Sequence, residues 1–197
     1  MSIVGTKPSP TEIFQWWEWA LSIPDRPPSS HPGKGGDIFQ NQPNNFFCHV
    51  CTFGTGTDLD RRYTVRPQDL QKQIMVPVLT SEASTAENRG FNDQQLLNKA
   101  KDDLQNPQVL FLNVDNGFIL TPQNAQQYYV ESDAGPVTPV KDNILRLPNT
   151  ETRMRCIGYF VLLNKLEPGR HDITFGGSAG PLGNRIETLI RYEVRVP

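Results

Sequence analysis

Hydrophobic positions along this chain keep two rhythms: a helical period near the N-terminus and an alternating, strand-like period through most of the remainder. The helical rhythm is carried by residues 9–24, SPTEIFQWWEWALSIP, which hold all three tryptophans of the protein. Ile13, Trp16, Trp17, Ala20 and Leu21 recur at the spacing of one buried helix face, with Phe14 and Trp19 widening it. Gln15, Glu18 and Ser22 share the opposite, wet side. Ser9 is placed to act as N-cap, Pro10 suits the first helical position, and Glu12 completes a Ser-x-x-Glu capping box. Pro24 stops the run, because it has no N–H to continue the ladder. An aromatic cluster of this kind is either a platform for sugar or membrane or a helix anchored in the core. The tryptophans sit on the arc that also carries Ile13 and Leu21, which favours the core.

The alternating rhythm predicts strands. Residues 46–53 form the first, with Phe47, His49, Cys51 and Phe53 on one face, and residues 61–65 the second. Residues 73–79 (QIMVPVL) are apolar with an internal Pro77, the mark of a strand edge or a bulge. A polar loop follows over residues 80–90. A second helix is expected over residues 93–105, capped by Asn92 with Gln95 in the capping-box position and striped by Leu96, Leu97, Ala100 and Leu104. Its charged outer face suits packing on the exterior of a sandwich or closing one end. Residues 108–114 and 118–120 flank Asp115-Asn116-Gly117, a strong hairpin signal. Residues 127–131, 154–163 and 171–175 continue the β pattern. The last strand is the clearest: Ile186, Thr188, Ile190, Tyr192, Val194 and Val196 alternate with Arg185, Glu187, Leu189, Arg191, Glu193 and Arg195. Many short strands separated by turns predict a mainly β protein, an antiparallel β-sandwich of jelly-roll or immunoglobulin-like type, with an N-terminal aromatic helix and one further helix.

Composition bounds this picture. The 197 residues suit a single sandwich domain, with residues 1–24 as arm and helix and residues 25–45 as a Pro/Gly-rich loop expected to be exposed. The net charge of −2, with no basic run, gives no reason to expect a nucleic-acid partner. No apolar stretch is long enough for a transmembrane helix. The first residues, MSIVGTKPSP, lack the pattern of a signal peptide. The three cysteines, Cys48, Cys51 and Cys156, make a disulfide framework unexpected. Cys48 and Cys51 have the spacing of a chelating or redox pair, but on a strand they point to opposite faces, which favours buried thiols.

The candidate chemistry is sparse. Gly33-Lys34-Gly35-Gly36 lacks the spacing of a phosphate loop. Gly176-Gly177-Ser178-Ala179-Gly180 spells G-x-S-x-G, but Pro181 and Gly183 follow and no histidine lies beyond Ser178, so a glycine-rich turn is expected rather than a nucleophile elbow. The best candidate site is residues 80–88. Glu82 and Glu87 sit there among hydroxyl residues that include Ser84, a set able to bind Ca²⁺ or to work as an acid/base pair. His49 and His171 fall on predicted strands, where a hydrogen-bonded structural histidine is the ordinary outcome, and nothing in the sequence requires them to meet.

Several of these segments resemble a family of mostly secreted bacterial proteins without an established activity. The resemblance rests on Trp16 to Pro24 (WWEWALSIP), on Pro77-Val78-Leu79-Thr80-Ser81-Glu82, on the Asp115-Asn116-Gly117 hairpin, and on the segment from Gly158 to Gly177 that ends PGRHDITFGG. It implies an extracellular location, which the missing signal peptide opposes. Two functional readings follow. One is a non-enzymatic binding or structural sandwich with a carbohydrate or protein partner, with a secreted toxin or effector as a variant. The other is a polysaccharide hydrolase or lyase using Glu82 and Glu87 with His49 or His171, which requires Glu82 and a histidine to share an open cleft.

Overall fold

The strands of this protein assemble into two stacked sheets because each presents one apolar face that must be shielded from water. The computed structural model describes residues 4–26, 30–51, 57–180 and 186–197. The first sheet contains β1 (Gly5–Thr6), β2 (Phe46–Cys48), β4 (Gln73–Ser84), β7 (Tyr129–Glu131), β8 (Gly135–Val137) and β9 (Thr152–Leu163). Its backbone is the long antiparallel β4–β9 pair, with β2 beyond β4 and with β1, β7 and β8 lined up along the far edge of β9. The second sheet runs in the order β3 (Thr57–Thr64), β11 (Ile186–Val196), β10 (Gly169–Ala179), β5 (Gln108–Val114), β6 (Gly117–Leu120). The mainly β, two-sheet architecture is thus as expected. The sheets are mixed rather than purely antiparallel, since β2 runs parallel to β4 and β3 parallel to β11. Each parallel strand sits at a sheet edge and is reached by a long connection, so local turn signals give no sign of it.

The aromatic helix α1 (Pro10–Leu21) forms as its sequence predicts. Ser9 Oγ accepts from Glu12 N–H at 3.2 Å, and the Glu12 carboxylate accepts from Ser9 N–H at 2.7 Å. Ile13, Trp16, Trp17, Trp19, Ala20 and Leu21 are all buried. Each indole N–H finds an oxygen: Trp16 on His49 O at 2.8 Å, Trp17 on Thr80 Oγ1 at 3.1 Å, Trp19 on Gln40 O at 2.9 Å. Trp16 also meets Phe160 edge-on at 5.7 Å. Thr80 and Phe160 lie on the same face of the β4–β9 pair, so α1 covers one face of the first sheet. Gly158 lets that layer close up, because a Cβ there would lie 2.5 Å from Leu79 O. The other face, marked by Phe47, Ile74, Val161 and Leu163, packs on the second sheet: Phe47 stacks on Tyr63 at 5.4 Å. The order of layers is therefore helix, sheet, sheet, and their buried side chains form one continuous cluster.

The second helix, α2 (Asp93–Asp103), carries the predicted Asn92–Gln95 capping box. Arg153 and Glu131 register with the inward-facing residues of β9, and both are ion-paired to α2, through Asp93 at 2.5 Å and Lys101 at 2.8 Å. The helix thus packs on the β4–β9 pair of the first sheet.

Local structure departs from the sequence pattern in several places. The first strand ends at Cys48, although His49 N–H still donates to Met75 O at 2.9 Å; residues 52–56 lie outside the described residues. The polar loop begins at residue 85 rather than 80, because β4 runs on to Ser84 against β9. Pro77 does mark a bulge, where the β4–β9 register shifts. The glycine-rich residues 176–179 lie inside β10 rather than in a turn; a Cβ on Gly176 would meet Thr188 O at 2.2 Å. In the β5–β6 hairpin the left-handed residues are Asp115 and Asn116, with φ of 51° and 67°, and Gly117 already belongs to the strand. Residues 125–128 make a 3₁₀ turn ahead of the short β7. The loop at residues 25–45 is not wholly exposed either. His31, Pro32 and Gly33 are buried, with His31 Nε2 on Ala20 O at 3.0 Å and Nδ1 accepting from Gly33 N–H at 3.0 Å.

Candidate functional site

Three of the residues singled out by sequence do come together. Glu82 and Ser84 are two apart on β4, on the strand face that also carries Thr80, and the turn that follows folds Glu87 back toward them. Ser84 Oγ donates to Glu87 Oε2 at 3.1 Å, and Asn88 N–H donates to Ser84 O at 2.9 Å. Burial, then Glu87 and Asp103, push the Glu82 carboxyl well above the usual carboxylate range, with Lys99 opposing. Among the described residues, no group of three or more His, Cys, Asp and Glu is placed to hold a metal ion. Glu82 Oε2 is shut off from solvent, whereas Glu87 is exposed.

Neither histidine joins them. His49 lies beside Met75, seven residues up β4 from Glu82, about 20 Å along a strand. It is packed between the sheets with its ring 4.0 Å from that of Tyr192 and its Nε2 2.7 Å from Tyr63 Oη. Burial lowers its pKa to about 3, so it is a neutral core residue. His171 lies on β10, with Nδ1 2.6 Å from Asp115 Oδ2 and Nε2 2.8 Å from Glu167 O. Partial burial pulls its pKa down, but the bonds to Asp115 and Glu167 outweigh this and leave it raised. With both ring nitrogens facing acceptors, its charged form is a clamp between the β5–β6 turn and β10, not a free base. The open cleft that an acid/histidine hydrolase needs is not formed by these residues.

The remaining motifs are also structural. Cys48, Cys51 and Cys156 are free and buried, and burial pushes each thiol up, Cys51 and Cys156 to about 12. Ser178 is buried in β10 with its Oγ 3.4 Å from Gln108 O.

A more open surface lies on the second sheet. Its outward face carries Asp60, Arg62, Arg170, Asp172, Thr174, Arg191, Glu193 and Arg195, contributed by β3, β10 and β11. All of these but Arg195 line a recess of about 450 Å³. Glu193 stands at its centre, 3.3 Å from Arg170 and 3.6 Å from both Arg62 and Arg195. Arg191 reaches Asp60 at 3.6 Å, and Arg170 reaches Asp172 at 3.3 Å. Guanidinium forks and carboxylates thus alternate over neighbouring strands, giving donors and acceptors side by side. Toward the β6 edge the same face becomes apolar, with Phe111 next to Gly176 and with Phe118 opposite Asn113 and 67% exposed. The alternation of the last strand placed Arg191, Glu193 and Arg195 on its wet side. The strands that would supply Arg62 and Arg170 beside them were not legible, because strand neighbours are set by topology.

The fold and this surface define a mainly β, two-sheet protein with one sheet face capped by a helix and the other left open. Compared with family models, curated proteins and solved structures, the chain matches none. Among the described residues, no helix is long and apolar enough to cross a membrane.

Proposed function

We propose that this protein is a non-catalytic recognition module that binds a saccharide on the open face of its second sheet. The observation that carries the reading is the recess between β3, β10 and β11, where arginines and carboxylates from three adjacent strands are held ready to pair with hydroxyl groups. A sugar ring presents vicinal hydroxyls that donate and accept at once, and a mixed guanidinium–carboxylate surface meets both needs. Phe111 and Phe118 extend the face with apolar surface for the C–H side of a ring. The first sheet has no equivalent surface beneath α1, because the helix occupies it. The resemblance to a mostly secreted family agrees with an extracellular ligand of this kind.

Titration of the full chain with neutral and uronic-acid oligosaccharides by calorimetry tests the reading. Binding of at least one of them is expected, weakened tenfold or more by Arg170→Ala or Asp172→Ala at unchanged melting temperature. Both residues are exposed, so these variants should fold. A ligand whose affinity is indifferent to both substitutions, or no binding across the panel, refutes it. A protein partner captured through the same face would replace the saccharide.

A further inference from the structure

At the end of the second sheet where β10 begins, the outward-facing residues have a chemistry of their own. Arg170 on β10 lies directly opposite Arg195 on β11, and Thr64 on β3 lies beside Arg195. Like charges set opposite each other on adjacent strands destabilise a sheet, so this arginine pair calls for a counter-ion. Glu193, two residues back along β11, supplies only part of one. Its carboxylate stands 3.3 Å from Arg170 and 3.6 Å from Arg195, and 3.6 Å from Arg62 as well, so one negative charge is divided among three guanidiniums. Asp172 reaches Arg170 at 3.3 Å. Among the described residues, the Arg195 side chain has no ion pair besides Glu193 and donates no hydrogen bond. Arg170 and Arg195 also line a second recess, of about 480 Å³, together with Thr64, Gly169, Val196 and Pro197. No Asp or Glu lines it. It adjoins the first recess, because Arg170 lines both. The first recess offers donors and acceptors in alternation. The second offers two guanidinium forks and a hydroxyl, a set that meets an anion.

Building on the saccharide reading of this sheet, we propose that the second recess is an anion subsite: the saccharide is acidic, and its carboxylate or sulfate sits between Arg170 and Arg195 while its ring lies against the first recess. A guanidinium fork holds two oxygens of either group through paired N–H donors. Glu193 is only 15% exposed and pairs with both arginines, so it tethers them before a ligand arrives. The bound anion supplies the charge that Glu193 alone does not, and it relieves the repulsion across the strand pair. An uncharged sugar gains nothing from the second recess and is held by the first alone.

Calorimetric titration of the full chain tests this, with galacturonate and glucuronate oligosaccharides, their methyl esters, and sulfated and unsulfated galactose oligosaccharides of equal length. At least one acidic member is expected to bind tenfold or more tighter than its uncharged counterpart. The gap should shrink as ionic strength rises from about 0.05 to about 0.5 M. Arg195→Ala should abolish the gap and leave the uncharged member's affinity unchanged, because Arg195 lies outside the first recess. Arg195→Lys keeps the charge but loses the fork and should restore little of the gap. Arg195 is 69% exposed, so both variants should fold. A preference for sulfate over carboxylate that Arg195→Ala removes supports the subsite and names its anion. Uncharged ligands that bind as tightly as their acids, an acid preference that survives Arg195→Ala, or full recovery in Arg195→Lys overturns the subsite and leaves the saccharide reading standing. Binding by no member of the panel overturns both.

Discussion

Replacing Trp17 by alanine removes a side chain that is only 3% exposed and that joins α1 to the first sheet. Three losses combine. Truncating a buried aromatic residue costs about 3–5 kcal/mol through lost burial and the cavity left behind. Within that figure lies the edge-on contact with Trp16, at 5.2 Å and 86°, which is of the kind worth about 0.5–1.5 kcal/mol. The bond to Thr80 Oγ1 goes as well, although Thr80 keeps its own bond to Ile157 O at 2.8 Å and so is not stranded. A total near 3–5 kcal/mol is a large part of the roughly 5–15 kcal/mol that holds an ordinary domain together. For a chain of this length it lowers the melting temperature by about 6–20 °C. Urea unfolding followed by far-ultraviolet circular dichroism reads it directly, since the remaining tryptophans complicate a fluorescence signal. Trp17→Phe separates the parts: it retains most of the buried area and loses the hydrogen bond, so a cost nearer 1 kcal/mol is expected. A loss below about 1 kcal/mol for Trp17→Ala would refute the reasoning, because it would mean that the indole contributes nothing to the core.

Two other perturbations follow from local geometry. Val109 sits in a β-bulge opposite Gly177 with φ of 54°, a conformation that β-branched residues avoid, and it is 68% exposed, so Val109→Gly gives up little packing. Relief of about 1–2 kcal/mol of left-handed strain, less the roughly 0.5–1 kcal/mol entropic cost of glycine, predicts a small rise in melting temperature, and a fall would contradict it. His171 has a raised pKa in the folded state. The stability it lends is therefore fully present below its unfolded value near 6.5 and is lost as the pH rises through the folded value. His171→Gln should remove that part of the pH dependence of the melting temperature, and an unchanged profile would show that the clamp to Asp115 carries no stability.

Local signals in the sequence located most of the elements. The capping boxes at Ser9 and Asn92, the hairpin around Asp115 and the alternation of the last strand each depend on residues a few positions apart, and the structure contains all four. What failed was judged by composition alone. The polar residues 80–84 read as loop, yet they are strand, because pairing with β9 satisfies their backbone regardless of side-chain polarity. Glycines 176 and 177 read as a turn, yet they allow close approach inside a sheet. His31 and its neighbours read as exposed, yet they are buried because the imidazole meets the carbonyl at the end of α1.

The candidate site divides in the same way. The proximity of Glu82, Ser84 and Glu87 was legible because they are close in sequence. That Glu82 is buried without a donor was not, since it depends on β9 and on the two helices. The separation of Glu82 from His49 and His171, and the gathering of Arg62, Arg170 and Arg195 around Glu193, depend on which strands lie side by side. By itself the sequence determined that this chain is mainly β, that an aromatic helix is anchored in its core, and that its last strand has one wet face, because period and capping are local properties of the backbone. Only the tertiary structure decided which sheet face is covered, which is open and which charges meet there, because those outcomes follow from pairings between residues scores of positions apart.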